Sequence, residues 1–184
     1  MTYLTKITNL NALKLLSDIQ DKVSKEMEVL LNIPVSVLIW GPNPDGDSEF
    51  SKLRLDLRDT LNSDGHLAQF SEELIVNNKI SIRIQQLIHA QKFDLIVSLP
   101  STPGTIGEIH DFATDRRVNN KLKVFLNTDF SSGYSFQSLS ALCSVLTYGT
   151  VYYNGYSDID TIKESIYSEV NRIREIKYFY EGRI

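Results

Sequence analysis

The chain of 184 residues is long enough for one domain with a well-filled core. Apolar residues make up 42% and charged residues 23%, which excludes disordered and fibrous proteins. The formal net charge of -4 argues against duplex nucleic acid as the main partner, because an acidic surface has no net attraction to phosphates.

The cysteine content and the length of the apolar runs indicate a cytoplasmic protein. The single cysteine, Cys143, cannot form an internal disulfide, which suits a reducing compartment. No apolar run approaches the roughly 20 residues needed to cross a bilayer, so no membrane partner is expected. The three histidines share no ligand spacing, and we expect neither a metal nor a tightly bound cofactor.

Two long amphipathic stretches are predicted to be helices near the ends of the chain. Apolar residues recur at spacings of three and four over 11–32, and Pro34 ends that stripe. The same period marks 159–177. We interpret the chain as a single domain of 1–184, with a helical extension over 1–33, an α/β core over 34–155 and a C-terminal helix over 156–184.

Between these stretches, short apolar runs alternate with helical patterns. Strands are predicted over 35–40, 66–70, 94–99, 122–126 and 150–153. Helices are predicted over 50–61, 80–91, 105–116 and 135–146. At least three of the runs are almost continuous Val, Ile and Leu, which is typical of parallel strands buried on both faces. The alternation predicts a three-layer, doubly wound α/β fold, with a parallel five-stranded sheet of flavodoxin-like order 2-1-3-4-5.

The strand order also predicts where a ligand binds. In such sheets the pocket lies beyond the carboxyl ends of the strands, where the order reverses, here between the first and third strands. The loop after the first strand begins with Gly41 and Pro42. The third strand and its loop contribute Ser98, Ser101 and Thr102. We therefore expect these residues to line a common pocket.

The next segment turns from the third strand into a helix. Pro103 and Gly104 break the strand, so that the amides of 105–107 are expected to open a helix and to favour an anion or a ribose hydroxyl. Glu108 then projects toward the predicted pocket. A carboxylate in this place can attack an anomeric carbon or stabilise an oxocarbenium ion.

A second interpretation of Glu108 is purely structural. Thr105 and Glu108 stand three residues apart, which also matches a capping box, where the glutamate folds back onto the cap amide. The spacing leaves both interpretations open.

The sequence over 94–113, DLIVSLPSTPGTIGEIHDFA, joins a hydrophobic strand through a small-residue loop to a helix opened by Gly-Thr-x-x-Glu. It resembles the nucleoside 2-deoxyribosyltransferase-like superfamily, together with related N-glycosidase and nucleotide-sensing domains of bacterial defence systems. Gly41 and Pro42 after the first strand are a second point of similarity. The resemblance covers 34–155 and implies that Glu108 attacks or stabilises C1′ of a nucleoside, nucleotide or NAD-like molecule.

The resemblance also implies roles for the loop residues. Gly41 and Pro42 would shape one wall, while Ser98, Ser101 and Thr102 would contact sugar or phosphate. Gly104 would let the backbone turn tightly and Thr105 would present its amide to the ligand, while Gly107 would let the ligand approach the first turn closely. Transferases of the family generally have an aspartate six residues before the glutamate, where Thr102 stands here. This departure favours an N-glycosidase or a ligand-binding role over deoxyribosyl transfer.

Two further polar positions are expected at the same rim. Glu72 follows the second strand and Asn127 follows the fourth, where polar groups can hold ribose hydroxyls or a base edge. Helix capping and turn formation are the alternative for both.

The resulting hypothesis is an enzyme that cleaves or transfers an N-glycosidic bond, with an anti-phage role through nucleotide depletion implied by the resemblance alone. The rival is a non-catalytic nucleotide sensor or assembly module of the same fold. We also expect a homodimer, because the helices of 11–32 and 159–177 look surplus to covering the sheet and each carries an apolar stripe. The alternative is that these two helices pack on each other.

Overall fold

The computed structural model describes residues 9–76, 79–147, 149–154 and 158–181. These residues form two compact units. One comprises the residues up to Ile33 together with those from Arg174 onward, and the other is Pro34–Ile173. The second unit contains the sheet and the candidate site.

The sheet has five parallel strands in the order β2-β1-β3-β4-β5, which confirms the predicted fold. The strands are β1 (Ser36–Trp40), β2 (Leu67–Phe70), β3 (Leu95–Ser98), β4 (Leu122–Asn127) and β5 (Gly149–Tyr153). The order reverses at β1, which pairs with β2 on one side and with β3 on the other. The carboxyl ends of β1 and β3 are in register, with Trp40 opposite Ser98.

Six α-helices accompany the strands in the described residues. They are α1 (Leu10–Leu31), α2 (Glu49–Ser63), α3 (Ile82–Lys92), α4 (Pro103–Phe112), α5 (Tyr134–Leu146) and α6 (Ile159–Glu181). The predicted bounds of α4, 105–116, are wrong at both ends. The helix starts two residues earlier because Thr102 caps it. It ends earlier because Asp115 Oδ1 accepts the Arg117 amide at 3.0 Å, which holds the following residues in a turn.

Each face of the sheet has its own core. Side chains of β1 alternate, with Val37 and Ile39 in one core and Leu38 and Trp40 in the other. The first core contains apolar side chains of α2, and the second contains those of α3, α4 and α5. The reversal of strand order explains this division, because the crossover to β2 and the crossovers to β3, β4 and β5 run in opposite directions along the sheet.

The expectation that the C-terminal helix is surplus is wrong. Ile162, Ile166 and Val170 of α6 are buried in the same core as α2. With three crossover helices on the other face, α2 alone leaves part of its own face uncovered. The first half of α6 supplies the missing cover.

The other unit pairs α1 with the end of α6. Tyr178 Oη donates to Glu26 Oε2 at 2.6 Å, and Arg174 Nε donates to the Ile33 carbonyl at 3.2 Å. No residue of α1 is buried, and Leu16 and Met27 on its apolar stripe are 37% and 59% exposed. Among the described helices, none combines the length and apolar character that would let it span a bilayer. Self-association through α1 stays a prediction.

Candidate functional site

Two cavities lie at the carboxyl ends of the strands. The smaller encloses about 220 Å³ and is mainly polar. It is lined by Gly41, Ser71, Glu72, Gln86, Thr102, Gly104, Thr105 and Glu108. Six of these eight are residues that the sequence predicted for the site, coming from the loops after β1, β2 and β3 and from α4. The predicted position of the pocket therefore corresponds to a real concavity.

The loop after β3 is held by Thr102. Its hydroxyl accepts the Thr105 amide at 3.3 Å, and its carbonyl accepts the Ile106 amide at 3.0 Å. Pro103 occupies the first helical position, where its missing N–H costs nothing. We expected the amides of 105–107 to be free for a ligand. For Thr105 and Ile106 this expectation is wrong, because Thr102 already accepts both amides.

The capping-box interpretation of Glu108 is also wrong. Thr102, not Thr105, is the N-cap, so Glu108 lies in the second turn of α4. Its Oε1 instead accepts a hydrogen bond from Gln86 Nε2 on α3. The side chain of Glu108 lines the smaller cavity.

The environment of Glu108 disfavours its ionised form. Burial, with a smaller contribution from the negative charge of Glu72, raises the pKa of Glu108 to about 7 against the opposing effects of Gln86 and Arg54. A carboxyl group that titrates near neutrality is the type of group that enzymes use in proton transfer or as an activated nucleophile. Burial of a purely structural carboxyl group would raise its pKa in the same way. The role of Glu108 is therefore argued from its position and contacts.

Glu72 is the second carboxylate of the cavity and is held differently. Arg54 Nη1 donates to Glu72 Oε1 at 2.5 Å, and Arg54 Nη2 donates to Glu72 Oε2 at 2.7 Å. Partial burial alone would raise the pKa of Glu72. The hydrogen bonds from Arg54, from the backbone amide of Glu72 and from Ser71, together with the charge of Arg54, outweigh burial and lower that pKa. One cavity thus holds two carboxyl groups whose pKa values are moved apart, a pattern found where two acids have different tasks.

Sequence reasoning missed Arg54 and Gln86. Arg54 had a signal, because it stands on the apolar stripe of α2 with Phe50, Leu57 and Leu61, where an unpaired charge is not tolerated. Gln86 had none, because its contact with Glu108 joins two different helices 22 residues apart in sequence.

The larger cavity encloses about 570 Å³ and is mainly apolar. Pro42, Ser101, Thr102 and Asn127 line it, as the sequence predicted for a ligand site. The apolar and aromatic part of its wall consists of Phe50, Pro100, Ile106, Leu126, Phe130, Tyr134, Phe136 and Leu139. Thr102 lines both cavities, so they adjoin at the cap of α4.

Ser98 is the one predicted residue that lines neither cavity. It is fully buried at the end of β3, and its hydroxyl has no hydrogen-bond partner among the described residues. Trp40, its neighbour in register on β1, is also fully buried, and its indole N–H also has no hydrogen-bond partner among the described residues. The side chain of Ser98 therefore belongs to the core beneath α4 in this structure.

Comparison with known proteins adds no identification. No model of a known protein family matches the chain, and no curated protein matches it. The resemblance to the deoxyribosyltransferase-like superfamily therefore stays a prediction from the residues.

Proposed function

We propose that this protein cleaves or exchanges the N-glycosidic bond of a nucleoside, nucleotide or NAD-like molecule, with Glu108 acting at C1′. One observation carries the proposal. Glu108 and Glu72, with separated pKa values, share a polar cavity that adjoins an aromatic-lined one at the switch point of the sheet. The resemblance of 94–113 to the superfamily supports the same activity.

The smaller cavity suits a sugar. Its lining offers the hydroxyls of Ser71, Thr102 and Thr105 near the two carboxylates. Gly104, where a Cβ would meet nothing closer than 3.9 Å, leaves room for the ligand to approach the backbone. A ribose held there would present its anomeric carbon to Glu108.

The larger cavity suits a base. Nucleobases are flat and mainly apolar on their faces, and aromatic side chains such as Phe130 and Tyr134 can stack on them. Asn127 and Ser101 supply polar atoms for a base edge. Because Thr102 lines both cavities, we propose that one nucleoside places its sugar in the smaller and its base in the larger.

The net reaction breaks the C1′–N bond to the departing base and forms one new bond at C1′. The C1′–N bond breaks and its electron pair leaves with the base, which gains a proton. The ionised Glu108 either bonds to C1′ or stabilises the positive charge that develops there. In hydrolysis water then attacks C1′: its oxygen becomes the C1′ hydroxyl, any bond between C1′ and Glu108 breaks, and the proton that water releases balances the one that the base gained. In transfer a second base attacks C1′ in the same way and releases its N–H proton. No metal is required for these steps.

The rival function is a nucleotide sensor that binds without turnover. The partly buried hydrogen bond between Gln86 and Glu108 favours it, because a carboxyl group can be retained to link two helices. For either function we propose a cytoplasmic location on the strength of the single buried cysteine. The anti-phage role is proposed from the resemblance alone.

A panel of substrates distinguishes the two functions. The full chain is incubated with nucleosides, their mono- and triphosphates and NAD, and chromatography measures the released free base. The enzyme produces base catalytically from at least one compound. Saturable binding by calorimetry without released base would replace the proposal by the sensor.

A further inference from the structure

Arg54 holds two residues that line the smaller cavity, Gly41 and Glu72. Its side chain is fully buried. The guanidinium donates to the carbonyls of Ile39 at 2.8 Å, Pro42 at 2.7 Å and Gly41 at 3.3 Å. It therefore fixes the backbone that leaves β1 and forms one wall of the cavity. A Cβ at Gly41 would lie only 3.0 Å from Arg54 Cδ, so the fit is close.

The same guanidinium immobilises Glu72. Both terminal nitrogens of Arg54 contact the carboxylate, and Phe70 lies against the guanidinium carbon at 4.2 Å from the ring centroid. A bidentate ion pair with one buried partner restricts the rotation of the carboxylate side chain far more than a surface ion pair does. The Glu72 side chain is still 44% exposed and lines the cavity, so its charge is held in place but not hidden.

The other groups around Glu108 carry little net charge. From α3, Gln86 is neutral, and Arg83 forms an ion pair with Asp111 of α4 at 3.0 Å. Arg54 of α2 also acts on Glu108, but its charge is directed to Glu72. Glu72 is therefore the charged group of the cavity whose position most directly affects Glu108.

We propose that Arg54 and Glu72 are positioning residues: Arg54 holds Glu72 as a fixed carboxylate in the cavity that Glu108 also lines, and that fixed charge, added to the burial of Glu108, favours the protonated form of Glu108. The catalytic meaning of this inference rests on the proposed function. A carboxylate that holds its proton up to neutral pH is the more nucleophilic once it is ionised. The pair thus prepares Glu108 through its charge, whether or not Glu72 also contacts the sugar.

Titration of individual carboxyl groups tests the inference directly. The full chain is labelled with ¹³C at the glutamate side-chain carboxyls, and NMR follows their chemical shifts with pH. The Glu108 signal is assigned by its loss in Glu108→Gln. In the unchanged chain we expect Glu108 to titrate at about 7. A midpoint near the ordinary 4.5 would overturn the inference without any further variant.

Glu72→Gln removes the fixed charge and leaves Arg54 uncompensated. Both changes favour the ionised form of Glu108, so its midpoint should fall by at least about half a pH unit. Glu72→Ala removes the same charge and serves if the glutamine variant folds poorly. Glu73→Gln is the matched control, because Glu73 is adjacent, pairs with Arg58 and does not line the cavity. An unchanged Glu108 midpoint, or an equal fall in the control, would overturn the inference.

This experiment is independent of turnover. If the substrate panel releases no base but Glu72→Gln lowers the Glu108 midpoint, the proposed function fails and the coupling between the carboxylates stands. If base is released but the midpoint does not move, the proposed function stands and the positioning role fails.

Discussion

Arg54 and Glu72 meet through two parallel hydrogen bonds, with Nη1 at 2.5 Å from Oε1 and Nη2 at 2.7 Å from Oε2. The pair joins α2 to the short 3₁₀ helix Ser71–Leu74 after β2. The same arginine binds the carbonyls at the end of β1. The walls of the smaller cavity therefore depend on one buried cation.

Removal of that cation should be costly. Arg54→Met leaves several backbone carbonyls and Glu72 without their donor, and we expect a loss of about 3–5 kcal/mol in the free energy of unfolding. Arg58→Met is the matched control on the same helix, because Arg58 pairs with Asp59 and Glu73 near the surface. There the loss should be at most about 1 kcal/mol. Urea unfolding followed by circular dichroism measures both. Equal losses would show that the buried pair has no special role in stability.

Glu108 should make the protein less stable at high pH. Its pKa is about 7 in the folded protein and 4.5 as the ordinary value. A raised folded pKa contributes stability that is fully present below about 4.5 and is lost as the pH rises through about 7. Glu108→Gln does not lose this stability at high pH, because its amide does not ionise. We expect it to match the unchanged chain near pH 4.5 and to exceed it by about 2–3 kcal/mol at about pH 8.

Urea unfolding at the two pH values measures the difference. If the difference in the free energy of unfolding between Glu108→Gln and the unchanged chain is the same at both pH values, the raised pKa is contradicted. Asp111→Asn is a suitable control, because Asp111 lies on the same helix and does not line the cavity.

The pH dependence of base release should identify the active form of Glu108. If the ionised carboxylate acts at C1′, kcat/KM rises with pH through a midpoint of about 7. Initial rates at low substrate concentration over a pH series measure it. A rate that falls through the same midpoint would instead make Glu108 a proton donor.

The exposed stripe of α1 makes self-association testable. We expect a mass close to twice that of one chain by light scattering after gel filtration. Leu16→Asp with Ile19→Asp should restore the monomer without loss of folding, because both side chains lie on an exposed stripe. A concentration-independent monomer in the unchanged chain would reject the dimer.

The fold was predictable because the strands are nearly continuous runs of Val, Ile and Leu between helical periods. The N-cap of α4 was less predictable than the fold, because Thr102 and Thr105 are both suitable N-cap residues. Pro103 is the signal that favours Thr102, because proline is preferred at the first helical position. The two cavities lie where the strand order predicted a pocket, but the partners of Glu108 depend on contacts between separate elements, which no local spacing encodes.

The most direct test of the account compares base release by the unchanged chain and by Glu108→Gln on the best substrate of the panel. The amide keeps the shape of the side chain but can neither attack C1′ nor balance its developing positive charge. We expect turnover to fall by at least about 100-fold while ligand affinity stays within about tenfold. Glu108→Gln with unchanged turnover would contradict the central claim and leave Glu108 as a structural link between α3 and α4.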